Sequence, residues 1–352
     1  MKRNNWPETL LAWFDGSRRA LPWREDHPRN PYHVWVSEIM LQQTRTETVK
    51  GYFQRWMEQF PTIRDLAQAP EEQVLRAWQG LGYYSRARNL HKAARQVMAE
   101  WGGQLPRERK ALGSLAGIGA YTVGAILSMA FGEKIPAVDG NLLRVLSRLY
   151  GVEEDISGTQ GKKTITALAE EAIPGARPGD FNEALMDLGA EVCIPRHPRC
   201  EACPLTAFCQ AWKEGKTEIL PVKKPKAPQK ELAAACGLVV REGRYLFHKR
   251  PAKGMLASMW EFPMVLEPGA EKARSSLVKL LETEAGPAVW QHRHVFTHQI
   301  WNMTAYVMER AEVPGEEWSW FSPEEWEKVP LAGPHAKLAD WLKKTVDRNE
   351  KV

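Results

Sequence analysis

The chain has 352 residues, with 48 Lys and Arg against 43 Asp and Glu, which gives a net charge of +5. This length is typical of two domains rather than one compact core, and the mild basic excess is only a weak indication of a polyanionic partner. No apolar run approaches the about 20 residues of a membrane span, and the opening residues lack the uncharged core of a secretion signal. We therefore expect a globular, cytosolic protein with no membrane partner.

From Trp6 to about Ala211 the spacing of apolar residues is helical, with little of the alternation that strands show. Asn30 followed by Pro31 is typical of a helix N-cap and first turn, and it predicts a helix through YHVWVSEIMLQQ. Further helices are predicted at residues 46–60, 71–79, 85–101, 121–131, 141–150 and 181–192. These patterns predict an all-α first domain over residues 1–219.

The stretch LPVKKPKAPQK is rich in Pro and Lys and nearly free of apolar residues, so it predicts an extended linker at residues 220–231. Beyond it the texture changes to short apolar runs bounded by turn residues. Strands are predicted at about 232–240, 244–249, 260–265, 289–296 and 299–308, and helices at about 271–284 and 334–348. These patterns predict a second domain of the α+β class over residues 232–352.

Four of the five cysteines form the motif C-x6-C-x2-C-x5-C, at Cys193, Cys200, Cys203 and Cys209. Four soft thiolates on one loop suit a tetrahedral zinc ion or an iron–sulfur cluster, and the chemistry of thiolates alone leaves both open. A disulfide framework is not expected in a reducing cytosol. Cys236 lies apart in an apolar run and is interpreted as a core residue.

The segment LAGIGAYTVGAI has Gly117 and Gly119 where the backbone can turn tightly and offer amide groups to a phosphate. Downstream, PAVDGNLLRV has Asp139 directly before a predicted helix. Asp139 by itself is typical of a helix N-cap, although a carboxylate beside an anomeric carbon also stabilises the cationic sugar that forms as a leaving group departs. The local pattern leaves both roles open.

Taken together, the hairpin, the aspartate and the cysteine spacing resemble the endonuclease III superfamily of helix-hairpin-helix DNA glycosylases. Four further segments are similar to one of its families, the adenine DNA glycosylases of the MutY type: LPW at 21–23, WVSEIMLQQT at 35–44, GLGYYSRARNL at 80–90 and FNEALMDLGA at 181–190. The stretch EDHPRN after Arg24 departs from that family because it is longer than usual. The resemblance covers nearly all of the first domain.

The resemblance implies a 4Fe-4S cluster on the four cysteines of the loop 193–209. Arg196, His197 and Arg199 lie inside this loop and would meet DNA phosphates, although solvated charges on an exposed loop are the alternative. The implied partner is double-stranded DNA that contains a mispaired adenine, bound by a monomer in a bacterial cytosol, in association with the nucleoid.

Adenine is a poor leaving group until its ring is protonated, so the implied reaction needs a neutral acid as well as an anion. The resemblance assigns the acid to Glu38 and the anion to Asp139. Apolar residues from Trp35 to Leu41 surround Glu38 in the sequence and would raise its pKa, although an exposed helix glutamate is the ordinary interpretation. Bifunctional relatives use a lysine to attack the sugar, and Tyr121 holds that position here, so we predict a monofunctional enzyme that nicks DNA weakly or not at all.

The remaining candidates of the first domain follow from the same resemblance. Tyr121 and Asn141 would support the sugar and Asp139. The predicted substrate-binding residues are Trp23, Arg24, Gln43, Thr44, Leu81, Tyr83, Gly117, Gly119 and Glu183. Of these, Trp23 and Glu183 would line the adenine pocket. Gln43, Leu81 and Tyr83 would press into the duplex as the base is flipped out, with core packing as the alternative for Leu81 and Tyr83.

In the second domain, residues 260–286 resemble the Nudix fold, but Lys279-Leu280 and Thr283-Glu284 stand where that family carries its magnesium-binding carboxylates. Divalent metal binding needs several oxygen ligands, so this Nudix-like domain is expected to recognise a base rather than hydrolyse a nucleotide. The segment HVFTH resembles the loop with which the MutY family reads 8-oxoguanine, here with Phe296, Thr297 and His298. A simple hairpin end with a core phenylalanine is the alternative.

Three functions remain open at this stage. The first is a glycosylase for adenine opposite 8-oxoguanine or guanine, the second a bifunctional pyrimidine-lesion glycosylase with lyase activity, and the third a non-catalytic binder of damaged DNA. Tyr121 and the second domain argue against the lyase. Glu38 and Asp139 argue against a binder, which needs no acid and no anion at one sugar.

Overall fold

The structure is a computed structural model and describes residues 5–224, 228–309, 315 and 317–347. Within these residues, no helix is both long and apolar enough to cross a membrane. The chain divides into two compact units, each made of two stretches: Met1–Gln68 with Asn89–Pro225, and Ala69–Arg88 with Lys226–Val352.

The two units are not separated at one point of the chain, because each contains two stretches of it. Residues 69–88, which the sequence pattern grouped with the first domain, are part of the second unit. The predicted linker 220–231 includes residues 225–227, which lie outside the described residues, and its last two positions already belong to a strand that starts at Lys230.

Helices occupy most of the described chain before the linker. Their bounds are α1 (Trp6–Ser17), α2 (Pro31–Leu41), α3 (Thr46–Gln59), α4 (Ile63–Gln68), α5 (Glu71–Ala77), α6 (Ser85–Trp101), α7 (Arg109–Gly113), α8 (Ala120–Phe131), α9 (Gly140–Tyr150), α10 (Thr159–Ala172), α11 (Pro178–Glu191) and α12 (Gln210–Lys213), with short 3-10 helices at Pro22–Arg24, Cys200–Ala202 and Thr206–Phe208. The all-α class predicted for this part of the chain is confirmed.

Helix α2 begins as the sequence predicts. The side chain of Asn30 accepts a hydrogen bond from the backbone N–H of Tyr32 at 2.9 Å, and Pro31 occupies the first turn. Helices α4 and α7 were not predicted because six and five residues are too few for a helical period to register. Helix α10 was missed because its buried face is small, with only Gly161, Ile165 and Ala169.

The core around α9 and α11 determines where the candidate site lies. Phe181, Leu185 and Leu188 of α11 are buried with Leu142 and Val145 of α9 in one apolar cluster, to which α1 also contributes. Full burial of a large apolar side chain stabilises a fold by roughly 1.5–3 kcal/mol. This packing holds the N-terminal end of α9 and the polar side of α11 at fixed positions.

The second unit contains a mixed sheet with strand order β3-β2-β1-β6-β5, in which β4 pairs with β1 and β7 with β2. The element bounds are β1 (Lys230–Arg241), β2 (Arg244–Lys249), β3 (Trp260–Glu261), β4 (Met264–Glu267), α13 (Ala270–Leu281), β5 (Ala285–Val295), β6 (Gln299–Met308), β7 (Trp318–Phe321) and α14 (Gly333–Asp347), with a 3-10 turn at Trp326–Lys328. Strand β7 was not predicted, because its four residues carry no clear alternation. The α+β class of this domain is confirmed.

Strand β1 reads as a continuous apolar run because helices cover both sides of the sheet. Cys236 and Leu238 pack in the cluster that contains α14, whereas Ala235 and Val239 pack in the cluster that contains α13. Cys236 is fully buried, as predicted for a core residue. The run predicted as one strand over 260–265 divides into β3 and β4 at Pro263, which has no N–H to donate to a ladder.

Candidate active site

The first unit contains a cavity of about 760 Å³. Helices α2, α8, α9 and α11 each contribute side chains to its wall, although these side chains are far apart in the sequence. The predicted site residues that line this cavity are Trp23, Arg24, Glu38, Gln43, Thr44, Tyr121, Asp139, Asn141 and Glu183. The cavity therefore brings together most of the residues that the family resemblance assigned to catalysis and to base binding.

Glu38 is only 5% exposed, so it is not an ordinary helix glutamate. Burial raises the pKa of Glu38 to about 7, and the charges of Asp139 and Glu183 act in the same direction, against the hydrogen bond from Tyr121 and the charge of Arg24. The Tyr121 hydroxyl donates to Glu38 Oε2. The Glu38 carboxyl therefore keeps its proton to a higher pH than an exposed glutamate does.

Asp139 is the N-cap residue of α9 and also lines the cavity, so its capping role does not remove it from the site. Asp139 Oδ1 accepts from the backbone N–H of Leu142 at 2.7 Å, and Oδ2 accepts from Asn141 Nδ2 at 2.8 Å. Burial raises the pKa of Asp139, and these hydrogen bonds act in the opposite direction. Both carboxyl oxygens are thus fixed in orientation before any ligand arrives.

Arg144 joins this aspartate to the cysteine loop. Its guanidinium group donates to Asn141 Oδ1 at 2.8 Å, to the carbonyl oxygen of Gly189 at 2.7 Å and to the carbonyl oxygen of Cys193 at 2.7 Å. A Cβ on Gly189 would lie 2.6 Å from the Cβ of Asn141, so a larger residue there would push α11 away from α9. The orientation of Asn141, and through it Asp139, depends on this close approach.

The acidic side chains of α11 beside the cavity pair with arginines from other segments. Glu183 lies within 3.2 Å of Arg18, 3.1 Å of Arg24 and 2.9 Å of Arg29. Asp187, four residues further along α11, accepts from Arg24 at 2.8 Å. Burial alone would raise the pKa of Asp187, but hydrogen bonds and charge from the neighbouring arginines lower it. The ring of Trp23 packs against the ring of Phe53, with their centroids 5.5 Å apart, and Trp23 forms part of the same wall.

Gln43 and Thr44 lie just after α2, and Gln43 has a left-handed backbone with φ 57°. Gln43 is exposed, which suits a side chain predicted to contact DNA. The hairpin residues lie between α7 and α8. Gly117 has φ +76°, and a Cβ there would lie 2.6 Å from the Cβ of Asn89, so the predicted tight turn requires glycine. Gly119 caps the start of α8 and leaves the first amide groups of that helix without partners inside the helix.

Leu81 and Tyr83 belong to the second unit. Leu81 is 5% exposed, and Tyr83 is 44% exposed with a left-handed backbone, φ 47°. Arg86 donates to the carbonyl oxygens of Leu81 at 3.0 Å and of Gly82 at 3.2 Å, which supports this turn. Leu81 thus packs as a buried side chain in this structure, whereas Tyr83 presents its ring at the surface.

The β5–β6 turn carries the other three candidates, Phe296, Thr297 and His298. Phe296 is half-buried, with its ring 4.7 Å from that of Trp301, whereas Thr297 and His298 are exposed. The hydroxyls of Tyr83 and Thr297 are 2.6 Å apart and share a hydrogen bond. Two residues that the sequence assigned to separate tasks therefore meet at one surface of the second unit.

The four cysteines of the motif are unpaired, half-buried and line one cavity. Arg148 donates to Cys193 Sγ at 3.3 Å, and backbone N–H groups point at the sulfurs of Cys203 and Cys209. Among the described residues, no three His, Cys, Asp or Glu side chains converge as ligands of a single metal ion would. Four thiols around a shared space, with N–H donors aimed at sulfur, suit a metal centre held by thiolates.

Arg196, His197 and Arg199 are exposed on this loop, and the backbone N–H of His197 donates to Glu218 at 2.9 Å. Sequence reasoning missed Arg18, Arg29, Arg144 and Asp187. The spacing of Asp187 from Glu183 on one helix face was available as a signal, because residues four apart on a helix are neighbours. Arg18 and Arg29 carried no comparable signal, since their partner Glu183 is distant in the sequence. Arg144 has one partner on its own helix, Asn141, but its other partners lie on distant segments.

The comparisons with known proteins define the class first. A family model of HhH-GPD superfamily base excision DNA repair proteins matches residues 36–174, and a NUDIX domain model matches residues 234–341. A solved thermostable thymine-DNA glycosylase is similar over 59% of this chain and 95% of its own, with 32% identity and a TM-score of 0.54. The first unit is therefore that of a helix-hairpin-helix base excision repair protein.

Curated relatives identify the family within this superfamily. The human adenine DNA glycosylase is 38% identical over 82% of this chain, and the match covers 64% of the human protein. The adenine DNA glycosylase of Schizosaccharomyces pombe is 36% identical over 73% of this chain and 68% of its own length. The chain belongs to the adenine DNA glycosylase family, and it spans about two thirds of the length of these two relatives.

Proposed function

We propose that this chain hydrolyses the N-glycosidic bond of adenine mispaired with 8-oxoguanine or guanine in duplex DNA, as a monofunctional base excision repair enzyme. The observation that carries the proposal is that two carboxyl groups with different hydrogen-bond partners line one cavity. Glu38 has a pKa raised to about 7, and Asp139 has both oxygens held by N–H donors. A pure DNA binder has no use for this pair.

The reaction follows from this arrangement. The target nucleotide leaves the duplex stack and enters the cavity. Glu38 transfers its proton to the adenine ring, the N-glycosidic bond breaks with both electrons moving to the base, and Asp139 stabilises the cationic sugar. Water then adds to the sugar carbon and loses a proton, which leaves an abasic site and free adenine. Tyr121 keeps the Glu38 carboxyl in place through its hydrogen bond.

The second candidate is a lyase, in which an amine attacks the sugar. Tyr121 has no amine and cannot form a Schiff base. One observation keeps this alternative testable, because Lys162 also lines the cavity. Borohydride treatment during the reaction would trap a covalent protein–DNA adduct if Lys162 took this role, and we expect no such adduct.

We propose that Cys193, Cys200, Cys203 and Cys209 hold a 4Fe-4S cluster. When bound, the cluster supplies a rigid anchor for the loop rather than bond-breaking chemistry. The chain's own contribution is the pair of arginines on α9. Arg148 donates to Cys193 Sγ, and Arg144 donates to the Cys193 carbonyl, so the loop is tied to the helix that Asp139 caps. The test is to measure the iron and sulfide content of the purified protein. We expect both to be present, and we expect the melting temperature to fall after iron is removed.

We propose that Tyr83 and Thr297 form the surface that reads the base opposite adenine, together with Phe296 and His298. 8-Oxoguanine differs from guanine by a carbonyl oxygen and an N–H, and a hydroxyl can serve both as acceptor and as donor. The partner is therefore double-stranded DNA with a mispaired adenine, bound by a monomeric protein in the cytosol. Exposed basic residues of the cysteine loop, Arg196 and Arg199, would contact its phosphates.

The test uses purified protein and three duplexes, with adenine opposite 8-oxoguanine, guanine or thymine. Alkali converts abasic sites into strand breaks that a denaturing gel resolves. We expect alkali-dependent cleavage of the first two duplexes and little of the third. Absence of an alkali-labile product from every duplex would leave only the DNA damage binder, and cleavage without alkali would favour the lyase.

A further inference from the structure

The loop between the 3-10 helix at Pro22–Arg24 and α2 contributes a cation that contacts Glu183, a residue of the cavity wall. Arg29 Nη2 donates to both carboxyl oxygens of Glu183, at 3.1 and 2.9 Å, while Nη1 donates to the carbonyl oxygen of Trp23 at 3.1 Å. Its side chain is only 10% exposed. Arg29 thus ties the loop, Trp23 and Glu183 together at one point.

The loop that carries Arg29 is anchored at both ends. Asp26 Oδ2 lies 2.5 Å from His33 Nδ1, and Asn30 caps α2 through the N–H of Tyr32. This is the EDHPRN stretch that departs from the family pattern. An anchored loop places the Arg29 guanidinium at lower entropic cost than a free surface loop would.

The other two arginines around Glu183 bind it differently. Arg18 makes one hydrogen bond at 3.2 Å and is 31% exposed. Arg24 divides its guanidinium between Glu183 and Asp187, with Nε 3.1 Å from Glu183. Arg29 Nη2 bridges both oxygens of Glu183, and a donor that bridges two oxygens restricts rotation of the carboxylate more than one bond to a single oxygen does. Arg29 is therefore the residue best suited to orient Glu183.

Glu183 needs such a partner because it is buried near another acid. Burial raises the pKa of Glu183, and the charges of Arg24 and Arg29 oppose that effect. Arg18, Arg24, Arg29, Asp187 and Glu38 are the charged or titratable groups that face it. A Glu183 carboxyl that took up a proton would present a donor where an ionised one presents only acceptors.

We propose that Arg29 is a positioning residue that holds Glu183 as an ionised hydrogen-bond acceptor for the amino group of the base, and so sets the preference for adenine over hypoxanthine. The inference rests on the proposed function. Adenine carries an amino donor where hypoxanthine carries a carbonyl oxygen, and a carboxylate attracts the first and repels the second. Loss of the guanidinium weakens both effects.

The experiment compares single-turnover release of adenine and of hypoxanthine, each opposite 8-oxoguanine in the same duplex. For Arg29→Leu we expect adenine release to slow by about tenfold, the scale of one lost charge-assisted hydrogen bond, with a smaller change for hypoxanthine. The ratio of the two rates therefore falls. Arg29→Lys restores part of the ratio, because it keeps the charge but not the two-oxygen contact. Arg64→Leu, an exposed arginine of α4, is the matched control.

Each outcome is informative. The inference is overturned if the ratio of adenine release to hypoxanthine release in Arg29→Leu stays at the wild-type value. It is also overturned if hypoxanthine release is below detection in both proteins. In either case Arg29 is a structural residue. Arg29→Gln, which can still donate to the Trp23 carbonyl, replaces Arg29→Leu if that variant does not fold. Wild-type protein that releases no adenine contradicts the proposed function itself, which separates the two failures.

Discussion

The cavity of the first unit and the β5–β6 turn of the second unit differ in how far their polar side chains are buried. Glu38 is 5% exposed, whereas Tyr83, whose hydroxyl meets Thr297 beside the turn, is 44% exposed. Burial changes the protonation state of Glu38, since a charge is poorly solvated there. The exposed hydroxyls beside the turn are available to a partner. The proposed function assigns bond breaking to the cavity and base reading to the exposed turn.

The strongest way to break this comparison is Glu38→Gln. The amide keeps the shape of the side chain but cannot donate a proton as an acid, so we expect the single-turnover rate of adenine release to fall by about 10²–10⁴-fold. Glu58→Gln, at an exposed position of α3, is the control and should keep the wild-type rate. A Glu38→Gln protein with a wild-type rate would remove Glu38 from the mechanism.

Asp139→Asn tests the second carboxyl group. We expect the rate of adenine release to fall by about 10²–10³-fold, the range for loss of one electrostatic contact to a transition state. Asparagine is also a good N-cap, so the melting temperature should change little. A large drop in melting temperature together with the rate would mean that capping of α9, rather than charge, is the main role of Asp139.

The pH dependence of the wild-type rate separates a buried acid from an exposed one. Because burial raises the pKa of Glu38 to about 7, the protonated form declines as pH rises through 7. We expect the single-turnover rate to fall about tenfold per pH unit well above that value. A rate that is independent of pH between 6 and 9 would contradict Glu38 as the proton donor.

The same raised pKa predicts a cost in stability. The folded protein binds a proton on Glu38 more tightly than the unfolded chain does, so its contribution to the free energy of unfolding falls as pH rises from the ordinary value of 4.5 to about 7. Glu38→Gln removes this penalty. We expect its melting temperature to exceed that of the wild type by a few degrees at pH 8 and by less at pH 5, measured by calorimetry; an equal difference at both would contradict it.

The smallest effects are expected at the turn of the second unit. Tyr83→Phe and Thr297→Val each remove one hydroxyl, and each should lower the preference for adenine opposite 8-oxoguanine over adenine opposite guanine by several-fold. Because these hydroxyls share a hydrogen bond, the double variant should lose less than the product of the two single effects. Strictly multiplicative losses would mean that the two hydroxyls act independently.

The local elements were largely predictable because their signals are local. Asn30 and Pro31 mark the start of α2, and the apolar spacing of Ser85–Trp101 gives α6 its observed ends. Short elements such as α7 and β7 were missed, since a handful of residues carries no measurable period. The two fold classes were predicted from composition and period, and the structure confirmed them. The membership of residues 69–88 in the second unit carried no sequence signal.

The sequence by itself determined the cysteine motif and the glycines of the hairpin, because each depends on residue type and close spacing. The two carboxyl groups, Glu38 and Asp139, were singled out by a family resemblance. Only the tertiary structure decided the pKa of Glu38, the three arginines around Glu183 and the contact between Tyr83 and Thr297. These properties arise from burial and from side chains that approach across long stretches of chain. Desolvation and charge act through space, so residue order alone does not specify them.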